Sequence, residues 1–144
     1  MKRALTLITI LIVSLCQGPG QELAGSSFRA IDVFVDSGNQ ALAAYQLTFV
    51  GTNSVKIVGI EGGEHSAFAE PPYYDPNAMQ SERVVIGAFN TSRDLPSGRM
   101  RVATIHVQTQ GNAAPGYGIQ VNAAAAADGK AISVKANLEE RMTR

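Results

Sequence analysis

The chain of 144 residues carries 12 basic and 12 acidic residues, one cysteine and no tryptophan. That balance supplies no electrostatic footprint for nucleic acid or an anionic membrane, and a single cysteine excludes a disulfide framework. The length suits one domain, large enough to bury about two-thirds of the surface its unfolded chain exposes.

Lys2 and Arg3 precede an apolar run from Ala4 to Cys16, and Gln17-Gly-Pro-Gly20 places small, helix-breaking residues where cleavage would fall. Residues 1–20 therefore read as an export signal. The run is shorter than the about 20 apolar residues that cross a bilayer, so the expected mature chain has no membrane span and resides in the periplasm, at the cell surface or in the medium. Its removal leaves 10 basic residues (12 less Lys2 and Arg3) against 12 acidic ones. Lipidation at Cys16 is the alternative, opposed by the bulky Leu15 directly before it. Residues 21–27 read as a short linker.

From Phe28 the pattern is a succession of strands. Ile31, Val33 and Val35 alternate and Asp36-Ser-Gly-Asn39 ends the run. Between Ala41 and Gly51 the larger apolar residues Tyr45, Leu47 and Phe49 fall on every second position, while Gln46 and Thr48 take the other face, the signature of a half-buried strand. Val55 to Gly63 follows. A long irregular stretch from Gly62 to Glu82 separates it from Arg83–Phe89, and a polar loop runs from Asn90 to Gly98. Met100 to Thr109 alternates again, with Ala103, Ile105 and Val107 opposed to Thr104, His106 and Gln108.

Two last strands, Tyr117 to Ala123 and Ala131 to Ala136, flank Asp128-Gly129, a pair common in type I′ hairpins. Alanine favours helix, but Ala123 to Ala127 is too short to stand as one and reads as a strand entering its turn, with a short helix as the alternative. The charge-rich segment Leu138 to Arg144 reads as a frayed turn of helix or a loose tail. About seven strands, no long amphipathic helix and no βαβ alternation point to an all-β fold, an antiparallel β-sandwich with two sheets in the manner of immunoglobulin domains. Recognition then falls to its strands and loops.

The succession Ala41–Phe49, Val55–Gly63, long loop, Arg83–Asn90, Leu95-Pro-Ser-Gly-Arg99 and Val102–Val107 resembles a cohesin domain, over roughly residues 28–137. The resemblance implies a noncatalytic module that mediates extracellular protein–protein assembly, in a sandwich group shared with bacterial carbohydrate-binding modules and linked to polysaccharide breakdown. Cohesins that capture dockerins often place Asn and Asp where Ala44, Tyr45 and Gln46 stand here. That strand brings Tyr45 and Gln46 into the candidate ligand site, while the departure argues against a dockerin as the partner. Cohesins also usually begin with an additional strand, for which little chain remains before Phe28.

The most distinctive segment is Gly62 to Pro76. Long loops in compact domains are commonly functional or disordered, and Tyr73-Tyr74 behind Pro71-Pro72 supplies rigid amphipathic contact area for a sugar or a partner's pocket. The competing reading tucks Phe68, Tyr73 and Tyr74 over an open end of the sandwich. Glu61, Glu64, His65, Glu70 and Asp75 crowd the same region. One histidine is too few for an ordinary zinc site, and no nucleophile stands paired with a base, although His65, Ser92 and Asp94 make a triad on paper. The expectation is a binding module without cofactor, metal or catalytic residue. Its candidate ligand residues are Tyr73, Tyr74, Asp75, Glu64, His65, Tyr45 and Gln46, and its partner is a protein or a polysaccharide. Arg83, Arg93, Arg99 and Arg101 suggest pairing with the acidic loop or recognition of an anionic partner. A structural envelope domain without a ligand is the remaining alternative.

Overall fold

The computed structural model describes residues 25–52 and 54–141. The export-signal reading for residues 1–20 lies outside them, as do residues 21–24 of the linker and 142–144 of the tail. The described residues form seven strands: β1 (Ser26–Asp36), β2 (Leu42–Gly51), β3 (Val55–Gly62), β4 (Arg83–Phe89), β5 (Arg99–Gln110), β6 (Tyr117–Ala126) and β7 (Lys135–Glu140), with single 3-10 turns at Ser66–Phe68 and Pro76–Ala78. They build two antiparallel sheets, one in the order β3-β5-β1-β7 and the other β4-β2-β6. The described residues are all-β, and one hydrophobic core joins the two sheets into a sandwich. Among the described residues no helix is long and apolar enough to cross a membrane.

Period-two patterning sets which face is buried. Ile31, Val33 and Val35 of β1, Leu47 and Phe49 of β2, and Ile105 and Val107 of β5 are wholly removed from solvent, because a strand turns alternate side chains to one side. β5 departs from this rule. Val102 and Ala103 are consecutive yet both fully buried, since the pairing passes from Val33↔Ala103 to Phe34↔Arg101 and leaves Val102 as an extra residue. The bulge switches the inward set from Met100 and Val102 to Ala103, Ile105 and Val107.

Three readings are corrected at the chain's periphery. β1 begins at Ser26 rather than after a linker ending at residue 27, and the Ser27 and Thr109 hydroxyls bond at 2.7 Å. The last strand is Lys135–Glu140, not Ala131–Ala136, so Leu138 to Glu140 are strand and neither helix nor loose tail. Leu138 sits opposite Val33 and packs on the core. The charges that look like a solvated tail find partners: Arg29 bonds Glu140 at 2.6 Å, Arg99 bonds Glu139, and Arg141 bonds Asp32 at 2.6 Å. The turn after β6 is not type I′, which needs positive φ at both central residues. Gly129 alone has positive φ there, and its N–H donates to the Ala126 carbonyl. The turn is type I, closed by a left-handed glycine.

Candidate functional site

The long loop divides into a structural half and a surface half. In the first, Gly62 and Gly63 let backbones approach where no side chain fits: a Cβ on Gly62 would lie 1.9 Å from the Ala69 carbonyl oxygen, and one on Gly63 2.4 Å from that of Arg101. This close approach delivers Phe68 to the core, 3% exposed, with its ring edge-on to Tyr45 at 5.3 Å. Glu64 and His65 serve this fold-back. The Glu64 Oε1 accepts from the Arg101 N–H at 2.9 Å, and His65 Nδ1 accepts from the Ala67 N–H at 3.2 Å, capping the first 3-10 turn.

The second half lays Tyr73 beside β4. Its N–H donates to the Gly87 carbonyl at 2.8 Å and its carbonyl accepts from the Gly87 N–H at 3.0 Å, so one residue extends the β4-β2-β6 sheet. The Tyr73 side chain is 73% exposed and its ring lies 6.2 Å from that of Phe89, 15° from parallel. Phe89 is itself 67% exposed. Gly87, between Val85 and Phe89 on the outer face of β4, has no side chain, and a shallow open depression of about 560 Å³ forms there, bordered by Ala44, Gln46, Tyr73, Tyr74, Asp75 and Phe89. Two further depressions also border Ala44. Asp75 caps the second 3-10 turn by accepting from the Asn77 N–H at 2.9 Å, and Tyr74 packs partly against the core.

Of the residues singled out from sequence, Tyr73, Tyr74, Asp75 and Gln46 meet at this depression, while Glu64 and His65 do not border it. Tyr45 lies beneath it as a core residue, 3% exposed, and its hydroxyl donates to the Val102 carbonyl at 3.2 Å. Burial holds that phenol far above its ordinary value and therefore neutral. Tyr45 offers no side chain to a ligand, which removes it from the candidate site; period two places it inward with Leu47 and Phe49. The packing alternative thus applies to Phe68 and in part to Tyr74, and not to Tyr73. Phe89 is the residue missed, although the same alternation that buries Val84 and Ile86 turns Val85 and Phe89 outward.

The outer faces of the two sheets differ in chemistry. On β3-β5-β1-β7, Asp32 and Arg141 pair, Thr104 donates to Asp32 at 2.7 Å, and Arg101 reaches Thr104 and the Gly62 carbonyl, each at 2.9 Å. Glu61 lies 3.1 Å from His106 Nε2, and the Arg99 guanidinium covers the Phe34 ring at 3.7 Å. On this face the arginines are engaged by the protein itself. Arg83 starts β4 instead, so the four arginines do not form one patch. On β4-β2-β6, the outward positions nearest the aromatic pair are Ala44, Gln46, Thr48, Val85, Gln120 and Asn122, all uncharged and with Thr48 covered by its neighbours. Arg83 stands outward at the start of β4 and Asp75 at the rim. Thr48 donates to Asn122 Oδ1 at 2.9 Å.

Two members of the triad drawn on paper are engaged locally. His65 Nδ1 is committed to its cap, and the Ser92 hydroxyl donates to the Asp94 carbonyl at 3.3 Å. Among the described residues no group of three His, Cys, Asp or Glu side chains is placed to hold a metal ion. No family model, curated protein or solved structure matches the chain.

Proposed function

We propose that this domain is a secreted, noncatalytic binding module, cohesin-like in its succession of strands, that joins an extracellular protein assembly through the outer face of β4-β2-β6. The observation that carries the reading is the exposed, near-parallel pair of Tyr73 and Phe89 bordering a depression in which Asp75, at the rim, is the one charged lining residue. Interface cores are depleted of charge and enriched in aromatic side chains, and a rigid tyrosine anchor loses little entropy on contact. The opposite outer face supports the choice by contrast, because its arginines are already engaged by the chain itself.

Affinity capture tests this. Wild-type domain and a Tyr73→Ala/Phe89→Ala variant are immobilised in parallel and exposed to the envelope fraction of the exporting cell. A protein retained by the first and lost by the second, with both variants folded, supports the reading; equal retention by the two refutes it. Recovery of the unprocessed chain from cytosol would refute secretion.

A second reading draws on the same pair. Aromatic faces stack on pyranose rings, and the Gln46 amide and Asp75 carboxylate at the rim offer partners for sugar hydroxyls. Retention on an insoluble neutral polysaccharide, abolished by Tyr73→Ala, would move the function to carbohydrate binding.

A further inference from the structure

A β-sandwich of two open sheets has strand edges whose backbone groups need partners or protection. Three of them are covered in part by the chain itself. Along β3, the Ile57 N–H donates to the Ser81 carbonyl at 2.9 Å and the Ile57 carbonyl accepts from the Gln80 N–H at 2.8 Å. Tyr73 covers β4 at Gly87. Along β6, the Ala126 N–H donates to the Lys130 carbonyl and the Ile132 N–H to the Ala124 carbonyl. The fourth edge is β7, which pairs with β1 on one side and has no backbone partner on the other among the described residues.

The pairing fixes which groups of β7 are free. The Arg141 N–H donates to the Ala30 carbonyl, and the β1–β7 register runs without a shift, so Lys135, Asn137 and Glu139 also direct their backbone groups to β1. Ala136, Leu138 and Glu140 direct theirs outward. The side chains divide with the same period. Ala136 and Leu138 lean on the core, while those of Lys135, Asn137 and Glu139 stand exposed on the outer face.

We infer that the β7 edge is a self-association site, at which β7 of a second copy pairs antiparallel about a two-fold axis through Asn137 and joins the two four-stranded sheets into one. Charge selects both occupant and register. Outward-directed residues must meet outward-directed residues, which limits self-pairing to a few alignments. With Asn137 facing its own copy, Lys135 meets Glu139 of the second copy and Glu139 meets its Lys135, while Ala136 and Leu138 exchange backbone hydrogen bonds across the axis. Advancing the alignment by one permitted step sets Lys135 against Arg141, and by two sets Glu139 against itself. Like charges directly opposed are unfavourable on a sheet, and opposite charges favourable. Glu139 is held by Arg99 of its own chain, and Lys135 has no ion pair among the described residues. A strand lacking this pattern therefore leaves Lys135 unanswered, and the residues that guard the edge against unrelated strands admit its own copy. The contact is small, in the class of weak and transient interfaces.

The test follows oligomeric state by light scattering from about 1 µM to 1 mM chain, together with disulfide trapping of Asn137→Cys in the full chain carrying Cys16→Ser. A non-hydrogen-bonded antiparallel pair brings Cα atoms within disulfide reach. The inference expects a concentration-dependent dimer, a cross-link at Asn137→Cys that Gln108→Cys on β5 does not give, and about tenfold weaker association for Lys135→Glu. Lys135→Glu/Glu139→Lys restores the opposite pairing and should recover most of that loss. Slower amide exchange at Ala136, Leu138 and Glu140 should appear as concentration rises. A monomer throughout the range overturns the inference, and so does a dimer indifferent to Lys135→Glu and not trapped through Asn137→Cys.

Discussion

Arg141 ties the end of β7 to Asp32 of β1, with Nη2 2.6 Å from Oδ1 and Nε 3.2 Å from Oδ2, while the Thr104 hydroxyl donates to the same carboxylate from β5. Three strands are therefore joined at one carboxyl group. Partial burial pushes the Asp32 carboxyl up, but the hydrogen bonds from Arg141 and Thr104, with the charges of Arg141 and Arg101, more than reverse this and hold it below its ordinary 3.8.

A group with a depressed folded-state value stabilises the fold above its unfolded-state value, and that contribution is lost as pH falls through the folded one. Arg141→Ala should cost about 1 kcal/mol at neutral pH, the guanidinium being half-exposed. The difference from wild type should shrink below about pH 4 and vanish once Asp32 is protonated in both states. Urea unfolding of the two proteins across this range measures it. A difference independent of pH would remove Asp32 from the explanation.

The fold-back at Gly62 and Gly63 should be intolerant of any side chain. Each added Cβ would meet carbonyl backbone, not a flexible side-chain end, so relief requires the loop to move. Gly62→Ala is expected to destabilise by more than about 2 kcal/mol, seen as a lowered urea midpoint with Phe68 more exposed. Gly25→Ala, where the added carbon meets open space, should change stability by less than about 0.5 kcal/mol.

Phe68→Ala removes the ring that meets Tyr45 in the core and should cost about 3–5 kcal/mol. Tyr45→Phe keeps the ring and loses only the hydroxyl bond to the Val102 carbonyl, for about 1 kcal/mol. Thermal unfolding that ranks the two in the opposite order would contradict the assignment of Phe68 as the loop's anchor.

The sandwich and the inward face of its central strands are legible in sequence because period two is a local property: Ile31, Val33 and Val35 announce it without knowledge of any partner. The bulge in β5 is not legible, since Val102 and Ala103 are both apolar and only their pairing with β1 shows which is extra. β7 is misread for a related reason. Glu139, Glu140 and Arg141 resemble a solvated tail until Arg99, Arg29 and Asp32, remote in sequence, supply the opposite charges. Half of the candidate site follows the same division. The exposure of Phe89 is contained in the alternation of β4, whereas the bonds that set Tyr73 against Gly87 arise only from the tertiary path of the loop.

Because Tyr73 and Phe89 are both largely exposed, replacing them should leave the fold nearly untouched, with stability within about 0.5 kcal/mol for each single change. Their contribution is to recognition. The most direct measurement is the affinity of the captured envelope partner for wild type and for Tyr73→Ala, with circular dichroism and urea unfolding of both. A loss of at least about tenfold in affinity at unchanged stability is the predicted result. Unchanged affinity, or a loss matched by unfolding, would contradict the assignment of the β4-β2-β6 face as the binding surface.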